Sequence, residues 1–339
     1  TSDKQISGTH GIGVLMANSL MFQRFPDHNG YDDPQFSSFY GQTLPLLKRG
    51  IPVELVHMEN TPFKDTFNGL QVLVMSYSNM KPMKSEYHNY LADWVKKGGT
   101  LVYCGEDVDP YQTVLEWWNT AGNAYKAPSE HLFEAMGLSR NPGDGTYRFG
   151  KGTVIVMRED PKHFVLKGGN DRKYFETIVS AYESKTGKKI EIKNNFMVER
   201  GPYTIAAVMD ESSSKEPLKL SGLYIDLFDK DLPVLTVKQI NPGEQGYLYD
   251  LNKVLGKVKA KVLCGASRIY DEKVGKQSYS FVAKSPLHTT NVSRVLLPRK
   301  PGKVLVNGKA EQPEWDESSK TLLLSFENDP AGVNVSIEW

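Results

Sequence analysis

The run Glu106-Asp107-Val108-Asp109 places three carboxylates within four residues. Such a cluster suits Ca²⁺, or glycoside chemistry as an acid and a nucleophile. Paired glycosidase carboxylates, however, stand about 5 to 10 Å apart across a sugar-sized cleft and come from different elements. Neighbouring acids on one loop more simply cap the next helix, here with Asp109 as cap and Pro110 in the first position. A second oxygen-rich run, Asp27-x-Asn29-x-Tyr31-x-Asp33, has the alternation of a Ca²⁺ loop. It lacks the glycine at the sixth position and the glutamate at the twelfth, which is Ser38, so a solvated turn is the simpler reading of Asp27, Asn29 and Asp33. Trp117 and Trp118 are adjacent in a helical pattern, which would point them about 100° apart. One could stack on a sugar or meet a sister subunit, although burial of both is the commoner outcome. With only two cysteines, Cys104 and Cys264, in the chain there is neither a disulfide framework nor a CxxC metal knuckle.

Two kinds of pattern must position these residues. From Gly11 to about Lys189, short apolar runs alternate with amphipathic stretches. Gly11–Met21, Pro52–Met58, Leu70–Ser76, Thr100–Cys104 and Thr153–Met157 read as strands, and the Val-rich run Leu70–Ser76 has the unbroken apolar character of a parallel strand covered on both faces. Helices are expected from the Asp33-Pro34 cap to Gly50, from Ser85 to Gly98–Gly99, over Tyr111–Asn119 and Ser129–Met136, and over Arg172–Thr186. Alternation of this kind argues a parallel sheet wound on both sides by helices.

After Lys189 the helical period ends. Short β-rich runs follow, separated by Asn241-Pro242-Gly243, Pro301-Gly302, Asn307-Gly308 and Asn328-Asp329-Pro330. They predict an antiparallel sandwich, with a tight hairpin at Asn307-Gly308. The expected domains are therefore 1–189, α/β, and 190–339, a β-sandwich region of one or two modules with a sub-boundary near 275.

The 339 residues carry 41 basic and 40 acidic side chains. The balance holds locally, with 21 of each up to residue 190, so neither half has the basic bias of a nucleic-acid binder. No apolar run reaches the roughly 18 to 20 residues that would span a bilayer. The first residue is Thr1. We expect either a processed secretory leader or a piece of a longer chain.

The stretch Phe39-Tyr40-Gly41-Gln42-Thr43-Leu44-Pro45-Leu46-Leu47-Lys48-Arg49-Gly50-Ile51-Pro52-Val53 is followed by Val72-Leu73-Val74-Met75. Leu91-Ala92-Asp93-Trp94-Val95-Lys96-Lys97-Gly98-Gly99-Thr100-Leu101-Val102 comes next, and then Gly150-Lys151-Gly152-Thr153-Val154. This series resembles the glutamine-amidotransferase-like, trimerisation domain of bacterial family 42 β-galactosidases over residues 10 to 185. The resemblance implies a doubly wound, flavodoxin-like sheet of class I amidotransferase type, then β-sandwich modules of the kind that end multidomain glycosidases. It further implies an accessory role in carbohydrate metabolism beside an upstream catalytic domain, with oligomerisation and carbohydrate as further partners and no cofactor. A bacterial periplasmic or secreted location is the expectation.

Amidotransferase chemistry needs a Cys in a Gly-flanked elbow and a downstream His-x-Glu. Cys104 sits at the right strand end, but Val102 and Glu106 occupy the positions where small residues belong. The later strand reads TVIVMRED, with Arg158 where a base is sought, and the only His-x-Glu is His57-Met58-Glu59. No catalytic residue is therefore expected, with Cys104 the one candidate nucleophile of an alternative Cys hydrolase. A carbohydrate-binding module is the other alternative, with scattered aromatic candidates Tyr247, Tyr249, Tyr270 and Trp315. If the α/β half binds a ligand, a doubly wound sheet places it at the carboxyl ends of the strands. Those ends carry Asn18, Glu59, Tyr77, Ser78, Glu106, Asp107 and Asp109.

Overall fold

The computed structural model describes residues 4–21, 37–166 and 170–339. The candidate oxygen ligands Asp27, Asn29 and Asp33, and the Asp33-Pro34 cap, lie outside them. The chain forms two compact units. One comprises 7–194 with 211–214, and the other 1–6, 195–210 and 215–339.

Strand β1 (Lys4–Ile6) belongs to the second unit. The first unit then runs β2 (Ile12–Met16), α1 (Asn18–Met21), α2 (Ser37–Leu47), β3 (Glu54–His57), β4 (Val72–Met75), α3 (Glu86–Lys96) and β5 (Thr100–Cys104). It continues with α4 (Pro128–Ala135), β6 (Gly145–Phe149), β7 (Gly152–Met157), α5 (His163–Leu166) and α6 (Arg172–Thr186). The sheet order is β3-β2-β4-β5-β7-β6. The first five strands are parallel, and β6 adds an antiparallel edge that the sequence patterns did not predict. Successive residues of the central strands supply opposite faces. Leu73, Leu101 and Val154 pack with Leu91 and Val95 of α3 and Phe133 of α4, whereas Val72, Val74 and Val102 pack with Tyr174 and Ile178 of α6. This two-sided burial accounts for the absence of polar alternation in these strands.

The Gly150-Lys151-Gly152 motif has a packing cause. Gly150 has φ +59°, and a Cβ on Gly152 would lie 1.9 Å from the carbonyl oxygen of Val95, so only glycine lets β7 begin against the end of α3.

Two expectations need correction. The first strand stops at Met16, and Asn18–Met21 is helical. The helix expected over Tyr111–Asn119 is a single 3₁₀ turn, Pro110–Thr113, followed by extended backbone at Val114. Asn119 explains the break. Its side chain accepts from the Glu116 N–H at 2.9 Å and donates to the Val114 carbonyl at 2.9 Å, satisfying backbone groups that a helix would need.

In the second unit β1 joins β8 (Asn195–Arg200), β9 (Tyr203–Val208), β10 (Leu218–Asp226), β11 (Val234–Ile240) and β12 (Gln245–Asp250) in an antiparallel sheet, order β1-β8-β9-β12-β10-β11. Nine further strands follow: β13 (Lys261–Gly265), β14 (Arg268–Val274), β15 (Ser278–Lys284), β16 (Thr290–Leu296), β17 (Lys303–Val306), β18 (Lys309–Ala310), β19 (Glu314–Asp316), β20 (Thr321–Glu327) and β21 (Val333–Glu338). They form two sheets, β13-β16-β20-β19 and β14-β15-β21-β17-β18. Tyr279, Phe281, Val335 and Ile337 of one sheet meet Val295, Leu322 and Leu324 of the other in a shared core, which makes this a sandwich. Asn307 and Gly308 both have positive φ, as a two-residue hairpin of the twist-matching kind requires. Gly275 lies in the β14–β15 turn, inside the sandwich.

Candidate functional site: the carboxyl edge of the α/β sheet

In the strand order β3-β2-β4-β5 the winding reverses between β2 and β4, and the crevice expected there lies outside their carboxyl ends. The segments that follow these strands carry the sequence candidates, and the structure joins Asn18 to Glu59 and pairs Tyr77, Ser78, Asp107 and Asp109 with residues outside that set.

Cys104, the last residue of β5, faces the α6 side and is fully buried. Burial pushes its thiol far above the ordinary range, and the carboxylates of Glu159 and Asp144 push it the same way. Nothing in that setting generates a thiolate.

After Cys104 the backbone turns through Gly105 and then Asp107, which has φ +60°. The Asp107 carboxylate accepts from the Ser129 hydroxyl at 2.7 Å, from Arg158 Nη1 at 2.7 Å and from the Tyr103 hydroxyl. Arg158 is itself tied down, donating from Nε to the Pro142 carbonyl at 2.9 Å and lying 5.2 Å over the Phe133 ring. It serves as the counter-ion of Asp107.

Asp109 caps the 3₁₀ turn, accepting from the Tyr111 N–H at 3.1 Å with Pro110 in the first position. Its carboxylate also takes both bonds of a buried ion pair, at 3.0 and 2.8 Å, from the ammonium of Lys81. Neither side chain of the pair is more than 1% exposed. The backbone of Lys81 exchanges hydrogen bonds with the Ser19 hydroxyl, which locks the loop after β4 to α1. Glu106 is exposed.

At the ends of β2 and β3, Glu59 Oε1 accepts from the Asn18 N–H at 2.9 Å, while its other oxygen, Oε2, is buried without a partner among the described residues. Ser78 donates to Asp160, a residue the sequence reading passed over. Asp160 is 5% exposed, and desolvation raises its carboxyl above the usual range, helped by the nearby Asp109 and Glu106 carboxylates. Tyr77 is fully buried, its hydroxyl 2.6 Å from His88 Nε2, and His88 Nδ1 lies 2.8 Å from His131 Nδ1. Burial lowers both histidines, His88 strongly.

The edge therefore carries a set of polar pairs, Asp107–Arg158, Asp109–Lys81, Ser78–Asp160 and Asn18–Glu59, the last with one carboxylate oxygen unpartnered among the described residues. Sequence reasoning missed Lys81, Asp160, His88 and His131. The buried Lys81 reads no differently from the exposed Lys84 three residues later. Among the described residues no three His, Cys, Asp or Glu side chains converge as metal ligands, and no helix is long and apolar enough to cross a membrane. Trp117 and Trp118 lie in turns, Trp118 fully buried with its indole N–H donated to the Gln112 carbonyl, and Trp117 donating to the Pro82 carbonyl.

In the second unit the aromatic candidates are dispersed. Tyr249 is 3% exposed, Trp315 donates to Glu317, and Tyr270 lies under Lys284. Tyr247 opens on a cleft of about 830 Å³, shared with Tyr203 and Phe228.

No family model matches the chain, and no curated protein matches it in sequence. Among solved structures it is similar to a β-galactosidase from Bacillus circulans sp. alkalophilus at 11% identity and TM-score 0.43, covering 71% of this chain and 41% of that one. It is also similar to Gan42B, a GH42 β-galactosidase from G. stearothermophilus, at 14% identity and TM-score 0.40, covering 71% and 40%. A third similarity is to a β-galactosidase from the psychrophilic Marinomonas ef1, at 11% identity and TM-score 0.38, covering 72% and 38%. The chain spans less than half the length of each.

Proposed function

We propose that this chain is a non-catalytic accessory portion of a larger glycoside hydrolase, its α/β unit an amidotransferase-like, flavodoxin-like domain that has lost the Cys-His-Glu chemistry. The observation that carries this reading is the state of the carboxyl edge. Cys104 is buried with a raised thiol, and Asp107 and Asp109 are neutralised by Arg158 and Lys81. An edge built of mutually satisfied ion pairs positions backbone and leaves little free charge for a reacting substrate. The strand order and the sequence motifs over residues 10 to 185 support the domain type, and through it a parent with its own barrel. The purified chain should not turn over a nitrophenyl galactoside. Turnover abolished by one Glu or Asp substitution within the chain would overturn the reading, as would an upstream coding region too short for a barrel.

A second reading, carbohydrate binding by the β unit, has one specific observation behind it. Phe228 is 62% exposed and its ring lies 5.9 Å from that of Tyr247, which in turn lies 5.8 Å from that of Tyr203. Asp229 and Thr290 line the same cleft. Aromatic faces beside a carboxylate suit the C–H face and the hydroxyl edge of a sugar. Oligosaccharide binding lost in Phe228→Ala and retained in Tyr270→Ala would favour it, and no binding to any oligosaccharide would remove it.

A further inference from the structure

At the amino ends of the strands, the edge opposite the polar pairs, the β6–β7 hairpin and α6 enclose a pocket of about 340 Å³. Its floor is a cross-strand row. Thr100 of β5 is in register with Thr153 of β7, and Thr153 with Arg148 of β6, so the three side chains stand side by side on one face of the sheet. Ser180 of α6 faces them, while Lys151 from the hairpin turn and Lys185 from the last turn of α6 complete the lining.

No carboxylate lines this pocket, and none of its three cations has an ion-pair partner among the described residues. The acids nearby are already engaged, Glu183 by Lys189, Glu176 by Arg172 and Asp144 by Lys173. Arg148 makes one long contact, 3.4 Å to the Thr153 hydroxyl. Thr100 is 5% exposed and lines the pocket. A methyl group built on Gly98, which has φ +124°, would sit 3.3 Å from the Lys185 ammonium, so this glycine leaves the pocket side of that ammonium uncrowded.

Helix ends do not account for all of this charge. The carbonyl ends of α3 and α6 attract cations, and Lys96 and Lys185 occupy their last turns, whereas Arg148 and Lys151 lie on neither helix. Arg148 and Lys151 are surplus to that requirement. We propose that the pocket binds a compact oxyanion, the phosphate or sulfate group of a small molecule. The guanidinium fork and the ammonium groups would supply charge-assisted donors, and Thr100, Thr153 and Ser180 neutral ones. The volume falls in the range of small-molecule sites, larger than a bare ion needs, so part of the attached molecule fits with it. This inference is independent of the accessory role.

The test is calorimetric titration of the whole chain with inorganic phosphate and with sulfate against a chloride background of matched ionic strength. Saturable 1:1 binding is expected. It should weaken at least tenfold in Arg148→Gln/Lys151→Gln and stay unchanged in Lys257→Gln/Lys309→Gln, which removes the same charge from the other unit. The stronger of the two anions identifies the ester carried by the natural ligand. All four positions are exposed, so melting temperatures in chloride should not move. Should the double variant fail to fold, Arg148→Lys, which keeps the charge and loses the fork, should still weaken binding. Absence of saturable binding, or equal weakening in the control, would overturn the proposal.

Discussion

The Lys81–Asp109 pair shows what one buried charge asks of its surroundings. With both side chains almost fully buried, Asp109→Ala leaves an ammonium in low dielectric and removes the cap at Tyr111. A loss of about 3–5 kcal/mol is expected from urea unfolding. The apolar double substitution Lys81→Met/Asp109→Leu should recover most of it, because it removes both desolvation costs together. The single variant matching the double would show that the pair is not the source. Cys104 makes the opposite demand, since it packs as a small apolar group. Iodoacetamide at pH 8 should leave it unlabelled in the folded chain and label it in urea, whereas rapid native labelling would contradict its burial. Of these residues, the sequence made Asp109 legible as a cap through the proline that follows it. The partner that neutralises it comes from a loop 28 positions earlier, which no local pattern could reveal.

Elements with one wet and one buried face were legible, because their periodicity records the burial. Arg172–Thr186 falls where its spacing predicts. The strands that were missed carry a weaker record. Nearly all of β14 is exposed, and β6 is five residues long with only Tyr147 and Phe149 on its half-buried face, so neither carries a long apolar record. Packing between elements also creates chemistry that neither sequence announces. His88 on α3 and His131 on α4 share a hydrogen bond between two Nδ1 atoms, a geometry that accommodates one proton and not two. Both histidines titrate below their unfolded value near 6.5, so the unfolded chain binds more protons in that window. Their contribution is complete above about pH 6.5 and is lost as pH falls through the lowered values. Asp160, raised, acts in the opposite sense as pH rises above its unfolded value, so the comparison must be made between variants. The urea midpoint should fall between pH 7 and pH 5.5 in the native sequence and fall less in His88→Gln/His131→Gln. An identical slope in that variant would show the pair to be silent.

At the scale of the whole molecule, the α/β unit comprises 7–194 with the short segment 211–214, while β1 and β8, on either side of its main stretch, pair in the other unit. Residues 7–194 expressed alone should unfold cooperatively, since both of their apolar clusters lie within that stretch. A non-cooperative, molten product would show that the second unit is needed to complete the fold. The sequence pattern puts the change from helical to β period near Lys189, between α6 and β8, but it holds no sign that three residues at the start belong with the later part. The strand Lys-Gln-Ile is too short and too exposed to carry a pattern. The hydrogen bond from the Glu191 N–H to the Thr9 hydroxyl at 2.9 Å means that the main stretch of the α/β unit begins and ends at one place. It is therefore an insertion between two paired strands, of the kind that circular permutation and domain grafting exploit. During translation at about 5–20 residues per second, β1 waits roughly 10–40 s for β8 to be made. The inserted unit has that interval in which to fold, and by closing its own ends it delivers the two strands to each other.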